Sequence, residues 1–142
     1  MTGAALRRYC LAKPGAVAEY PFGPGARVYK VAGKMFALIP DETPLSISLK
    51  CDPVLAEILR EQFPAVRPGY HFNKRHWNTV AVDGSMPDRL VREWVDHSYD
   101  LVVSALPRTV RDGLAGPTAS REASGSPSGG PVQGEAQARG AN

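Results

Sequence analysis

Leu45-Ser46-Ile47-Ser48-Leu49-Lys50 alternates apolar and polar side chains without a break, and that run constrains the fold more than any other. Successive strand residues point to opposite faces, so Leu45, Ile47 and Leu49 belong to a core face and Ser46, Ser48 and Lys50 point outward. The chain that follows changes period. Asp52-Pro53 offers a capping residue and a proline at the first helical position, and Leu55, Ile58, Leu59 and Phe63 form an apolar stripe ended by Pro64. A strand feeding directly into an amphipathic helix calls for a sheet with helices on it.

The flanking segments extend the pattern. Upstream, Thr2 can cap a helix with Leu6, Tyr9 and Cys10 on one face, stopped by Pro14-Gly15, and Pro21 to Gly25 reads as a loop. Arg27 to Val31 and Lys34 to Ile39, joined by Ala32-Gly33, predict a β-hairpin. Downstream, Trp77 to Val82 predicts a strand ending at the Asp83-Gly84 turn, with Tyr70 to Asn73 as a short partner strand. A last helix starts near Pro87-Asp88, with Leu90, Val91, Trp94, Val95, Leu101, Val102 and Leu106 at helical spacing. Strands joined by short turns pair antiparallel. The expectation is a two-layer α+β domain, an antiparallel sheet of about five strands covered by helices, in the order α-β-β-β-α-β-β-α.

Composition sets the boundary of that domain. From Thr109 to Asn142 the sizeable aliphatic side chains are Val110, Leu114 and Val132, with no aromatic residue. Such a stretch buries too little apolar surface to offset the entropy of ordering it, so residues 1–108 are expected to fold and 109–142 to form a disordered Gly/Ser/Pro/Ala-rich tail. Two cysteines, Cys10 and Cys51, match neither a CxxC metal site nor a disulfide framework and are expected to be reduced. No apolar stretch has the length of a signal peptide or a membrane span, so a cytoplasmic location is expected, with no membrane partner.

The formal charge is +3, too mild to announce a polyanionic partner by itself. Its distribution is more informative. Tyr20 to Pro40 holds Arg27, Lys30 and Lys34 without an acid, and Gln62 to Val82 holds Arg67, Lys74 and Arg75, again without an acid. The second window also carries Tyr70, His71, Phe72, Asn73, His76 and Trp77. Cations that neutralise phosphates, amides and imidazoles that hydrogen-bond, and aromatic rings that can stack suit a nucleic-acid ligand. The same residues also fit a plainer role, with lysines solubilising a hairpin, aromatics filling a core, and Asn73-Lys74-Arg75 forming a turn.

Enzymatic chemistry has less support. His71 and His76 lack the spacing or partners of a zinc site, Asp96-His97-Ser98 are neighbours on a helix and point apart, and no glycine pattern cradles a nucleotide phosphate. Cys51 beside Lys50 could be an activated thiolate at a helix start or a small buried thiol. Neither a cofactor nor a metal is expected.

Several blocks together resemble the MmcQ/YjbR family of small bacterial proteins: PGAVAEYPFGPGARVYKVAGKMFALI, LSISLKCDP, RPGYHFNKRHWNTV and SYDLVVSALP. The most specific are Pro68-Gly69-Tyr70-His71, Asn73-Lys74 and His76-Trp77-Asn78-Thr79, and the resemblance spans nearly all of residues 1–108. It implies a fold similar to secretion chaperones and a double-wing DNA-binding motif. On this chain the wings correspond to the two windows. Lys30 and Lys34 lie near the first, and His71, Asn73, Lys74, Arg75 and His76 near the second, with Arg67 completing the candidate set. The expected function is non-enzymatic, weak and salt-sensitive DNA binding. The alternatives are a peptide- or protein-binding module using a sheet face or edge, and a small-molecule pocket lined by His71 and His76.

Overall fold

In the computed structural model, which describes residues 1–69 and 73–115, the strictly alternating run forms a central strand. The elements in chain order are α1 (Gly3–Leu11), β1 (Ala16–Glu19), β2 (Ala26–Val31), β3 (Lys34–Pro40), β4 (Ser46–Lys50), α2 (Pro53–Gln62), β5 (Val66–Pro68), β6 (Trp77–Ala81), α3 (Asp88–Ser104) and α4 (Arg108–Ala115). The strands form one antiparallel sheet in the order β1-β2-β3-β4-β6-β5. β4 therefore separates the β2–β3 hairpin from the β5–β6 hairpin.

The sheet has six strands, one more than expected. The extra strand is β1, whose Ala-Val-Ala-Glu sequence carries little apolar signal because it is an outer strand with three exposed residues. Backbone pairing to β2, from Ala16 opposite Val31 to Glu19 opposite Val28, holds it in place. The partner of β6 also differs from expectation. It is Val66–Pro68, upstream of the predicted segment, and of that segment Tyr70, His71 and Phe72 lie outside the described residues.

One sheet face carries Tyr29, Ala37, Ile39, Ile47, Leu49, Val66 and Val80, all buried. Against it pack α1, α2 and α3. α3 contributes Val91, Val95, Tyr99 and Val102, each such burial being worth roughly 1.5–3 kcal/mol for an aliphatic side chain. Phe36 meets Tyr99 edge to face at 5.3 Å, and Phe63 meets Trp94 the same way at 5.3 Å. Ser98 interrupts the apolar stripe of α3. Its hydroxyl donates to the Phe36 carbonyl at 2.6 Å and accepts from the Lys50 N–H at 2.9 Å, tying the helix to two strands.

The helix caps follow the sequence. The Thr2 hydroxyl accepts from the Ala5 N–H at 3.1 Å, and the Asp52 carboxylate accepts from the Leu55 N–H at 3.1 Å, with Pro53 opening α2. The stripe of α2 is rotated from the expected one. Ala56 and Leu59 face the core while Ile58 is 42% exposed, because the small Ala56 lets the helix approach the sheet and its carbonyl receives the Asn78 side-chain amide at 3.4 Å.

Residues divide into two units, Met1–Ala105 and Leu106–Asn142. In the second unit α4 occupies Arg108–Ala115, so the first turns of the stretch expected to lack structure are helical, with Arg108 and Asp112 paired i to i+4 at 3.9 Å. The remainder of that stretch lies outside the described residues.

Candidate functional site

The register of the sheet decides where the candidate cations go. Lys30 follows Tyr29 of the helix-covered face and therefore points to the opposite face, as do Ser48, paired with Thr79, and Arg67, also paired with Thr79. Lys50 lies on that face too, opposite Trp77. α1, α2 and α3 pack on the other face, while Val28, Ser48 and Trp77 on this one are also buried. Ser48 points outward as its alternation predicts, yet is only 7% exposed, since its hydroxyl shares a 2.9 Å hydrogen bond with Thr79 and the neighbouring side chains enclose it.

Two hairpin connections emerge at one end of the sheet. The β2–β3 turn is Ala32-Gly33, with φ of 51° and 80°, followed by the exposed Lys34. The β5–β6 connection returns at the same end, because Pro68 pairs with Asn78 and Lys50 of β4 pairs with Trp77. It contains Asn73, Lys74 and Arg75, all exposed, and the half-buried His76. Three inter-strand spacings separate the centres of the two hairpins, roughly 14 Å. Lys34, Lys74 and Arg75 thus stand at the tips, with Lys30, Lys50 and Arg67 on the open face behind them.

Acids occupy the other end of the sheet. Asp41 and Glu42 follow the far end of β3, and Asp83 follows the far end of β6. Of the acids near the tips, Asp52 has its carboxylate engaged in capping α2, and Glu57 lies on α2 beside the second tip. The tip end is therefore the more basic one, while at the other end Arg7 and Arg27 lie beside Asp41 and Glu42. One candidate is partly neutralised, since Lys30 makes a 3.0 Å ion pair with Glu19 of β1.

The second tip is a braced turn. The Asn73 side-chain oxygen accepts from the Arg75 N–H at 3.0 Å, the Asn73 carbonyl accepts from the His76 N–H at 3.1 Å, and the His76 carbonyl accepts from the Cys51 N–H at 2.7 Å. Asn73 thus shapes the turn that displays Lys74 and Arg75. Below it, Arg60 of α2 donates through Nε to the Asn78 Oδ1 at 2.7 Å and through Nη2 to the Lys74 carbonyl and, at 3.2 Å, to the Trp77 carbonyl. Arg60, Lys74 and Arg75 line a shallow groove of about 240 Å³ together with Pro53, Val54 and Glu57. Sequence reading passed over Arg60, because an arginine on a helix has no local mark of a buried partner. The polar Asn78, fully enclosed within a strand, is the signal that could have pointed to it.

The remaining candidates resolve as structural groups. Cys51 is buried and its thiol is pushed up to about 11, first by burial and then by Asp52, which is the opposite of an activated thiolate. In Asp96-His97-Ser98 the three side chains point apart. Asp96 receives the Tyr9 hydroxyl at 2.7 Å and pairs with Lys13, His97 accepts from the Asp52 N–H at 3.3 Å, and Ser98 is in the core. His71 lies outside the described residues. Among the described residues no cluster of histidine, cysteine and acidic side chains could hold a metal, and no helix is long and apolar enough to cross a membrane.

This fold has counterparts among known proteins. The YjbR family profile matches residues 11–101. The chain belongs to the YjbR family. This YjbR-family chain is 44% identical over 112 residues to the YjbR protein of Escherichia coli K12, an alignment covering 78% of this chain and 95% of the relative. Its identity to the YbdF protein of Escherichia coli O157:H7 is 35% over 101 residues, covering 70% of this chain and 83% of that one. Among solved structures, a Deinococcus radiodurans protein with a domain described as DUF419 superposes with a TM-score of 0.76 at 37% identity, covering 80% of this chain and 88% of the other. A Pseudomonas syringae protein superposes with a TM-score of 0.63 at 26% identity, covering 71% and 98%. The YjbR match takes in all six strands, both hairpin tips and most of α3.

Proposed function

We propose that this YjbR-family protein binds DNA, without catalysing a reaction, through the two hairpin tips and the basic part of the open sheet face. One observation carries the reading: Lys34 of the first acid-free window and Lys74 and Arg75 of the second come to one end of the sheet, while Asp41, Glu42 and Asp83 lie at the other, where Arg27 of the first window also sits. A B-form major groove is about 12 Å wide, so tips roughly 14 Å apart can each reach the backbone on one of its sides. Lys34, Lys74 and Arg75 would hold phosphates from the tips, and Lys30, Lys50 and Arg67 would add a weaker field behind them. Recognition of this kind is mainly electrostatic and independent of base sequence. The cytoplasm, where chromosomal DNA is accessible, is the matching location.

Titration of a fluorescently labelled duplex at low salt tests the proposal. Binding should weaken as salt rises, with a log–log slope of about −0.9 for each phosphate contacted. Lys74→Ala combined with Arg75→Ala should make that slope shallower by up to about 1.8. Absence of binding at low salt, or an unchanged slope in the double variant, overturns the proposal.

A second reading, peptide binding by strand addition, draws on a different surface. β1 has one edge unpaired among the described residues, and Leu11, Val17, Tyr20 and Phe22 are large apolar residues exposed in or beside it. Under that reading Val17→Asp abolishes binding and the tip variants leave it unchanged.

A further inference from the structure

We propose that Arg60 is a positioning residue that preforms the second DNA-contacting tip, an inference that rests on the DNA-binding reading above. Arg60 belongs to α2, which lies on the covered face of the sheet, whereas the turn it holds displays its cations at the sheet end. Its guanidinium is engaged by three acceptors in the segment Lys74 to Asn78: the Lys74 carbonyl, the Trp77 carbonyl at 3.2 Å and the Asn78 Oδ1 at 2.7 Å. Asn78 closes the circuit. It is 2% exposed, and its amide returns to α2 by donating to the Ala56 carbonyl at 3.4 Å.

The consequence is a turn clamped from below and from within. Above Arg60, the Asn73 side chain holds the Arg75 N–H, and Cys51 holds the His76 carbonyl. Lys74 sits between these restraints, with its carbonyl drawn inward to Arg60 and its side chain exposed. A turn fixed in this way presents Lys74 and Arg75 without first having to be ordered, and restraint of that kind raises affinity by lowering the entropic cost of binding. A planar guanidinium serves three acceptors in one plane; an ammonium group presents a single point charge with no such fork. The N–H groups of Arg60 that bind these neutral acceptors are turned to the protein and not to a phosphate, so the contribution proposed for it is geometric.

Two measurements on the full chain separate this role from that of a phosphate contact. The first is duplex affinity across a salt series for Arg60→Gln, Arg60→Lys and Arg75→Ala. The second is amide hydrogen exchange of residues 73–78 in the absence of DNA, with circular dichroism to verify that each variant is folded. Arg60→Gln is expected to weaken binding about 5- to 20-fold with an unchanged salt slope, and to speed exchange in the turn at least tenfold. Arg60→Lys should restore only part of both, and it stands as the test variant if the glutamine form does not fold. Arg75→Ala should make the slope shallower by about 0.9 while leaving exchange unaltered. A shallower slope in Arg60→Gln overturns the proposal, because Arg60 would then itself contact a phosphate. Unchanged exchange overturns it as well. Absence of wild-type binding rejects the DNA reading, and the exchange measurement then still decides whether Arg60 orders the turn.

Discussion

Ser98 shows how a single polar atom can organise a core. Its hydroxyl is fully buried, donates to one strand and accepts from another, and so satisfies two backbone groups at once. Ser98→Ala would leave the Phe36 carbonyl and the Lys50 N–H without that partner, at about 1–3 kcal/mol for each unsatisfied group. Urea denaturation should show a loss of about 2–4 kcal/mol with the m-value unchanged. Ser98 also sits between Asp96-His97 and Tyr99-Asp100, where the letters alone suggest a hydrolase triad and the helix geometry forbids one. Asn73 is a comparable case. Its side chain is occupied by the Arg75 N–H, which makes it a builder of the tip, and the displayed charges belong to its two neighbours.

At the scale of elements, the β2–β3 hairpin carries a correctable strain. Both central residues of the turn have positive φ, and the first of them is Ala32 at 51°, a conformation that costs a side chain with a Cβ roughly 1–2 kcal/mol. Ala32 is exposed and packs against nothing in the core. Ala32→Asn should therefore stabilise the protein by about 1 kcal/mol and raise its thermal midpoint, because asparagine followed by glycine is the preferred pair for such a turn. A scanning calorimetry trace with an unchanged or lower midpoint would contradict this account of the turn. α2 has a different lesson. Its cap and first proline were legible in the sequence, but its rotation about its own axis was decided by Ala56 and Asn78, which set Ala56 inward beside the expected Leu59 and left Ile58 at the surface. β1 left almost no trace in its side chains, because an outer strand can be held by backbone pairing alone.

Across the whole molecule, buried acids that stay neutral set the behaviour in alkaline solution. Cys10 is fully buried, and burial pushes its thiol from an ordinary value of 9.0 up to about 12; Cys51 moves the same way, to about 11. Tyr9 and Tyr99 are also raised, chiefly by burial, with Asp96 adding to the effect at Tyr9 and Asp100 at Tyr99. As pH rises above 9 the unfolded chain releases these protons before the folded one does, so the folded state binds more protons and loses relative stability. Each buried thiol contributes a loss of up to about 1.4 kcal/mol per pH unit within its window, which opens about one unit below the ordinary value of 9.0. Urea midpoints at pH 8 and pH 10 check this. The wild type should lose stability between them, and Cys10→Ala, though weaker at pH 8, should lose about 1.4 kcal/mol less. An equal loss in both would show that Cys10 does not carry the effect.

Much of the architecture was legible in the sequence because its signals are local. The alternation of Leu45 to Lys50, the Asp52-Pro53 cap, the Ala32-Gly33 turn and the helical spacing of Val91, Val95 and Val102 each depend on neighbours within one or two turns of chain. Those signals were enough for an antiparallel α+β domain and for two acid-free windows. They did not order the strands. Only the tertiary structure inserted β4 between β3 and β6, brought the hairpin tips of the two windows to one end, and set Arg60 beneath Lys74 and Asn78. Cross-strand neighbours and buried hydrogen bonds join residues far apart in the chain, and pairing of that range is selected by the packing of the whole core.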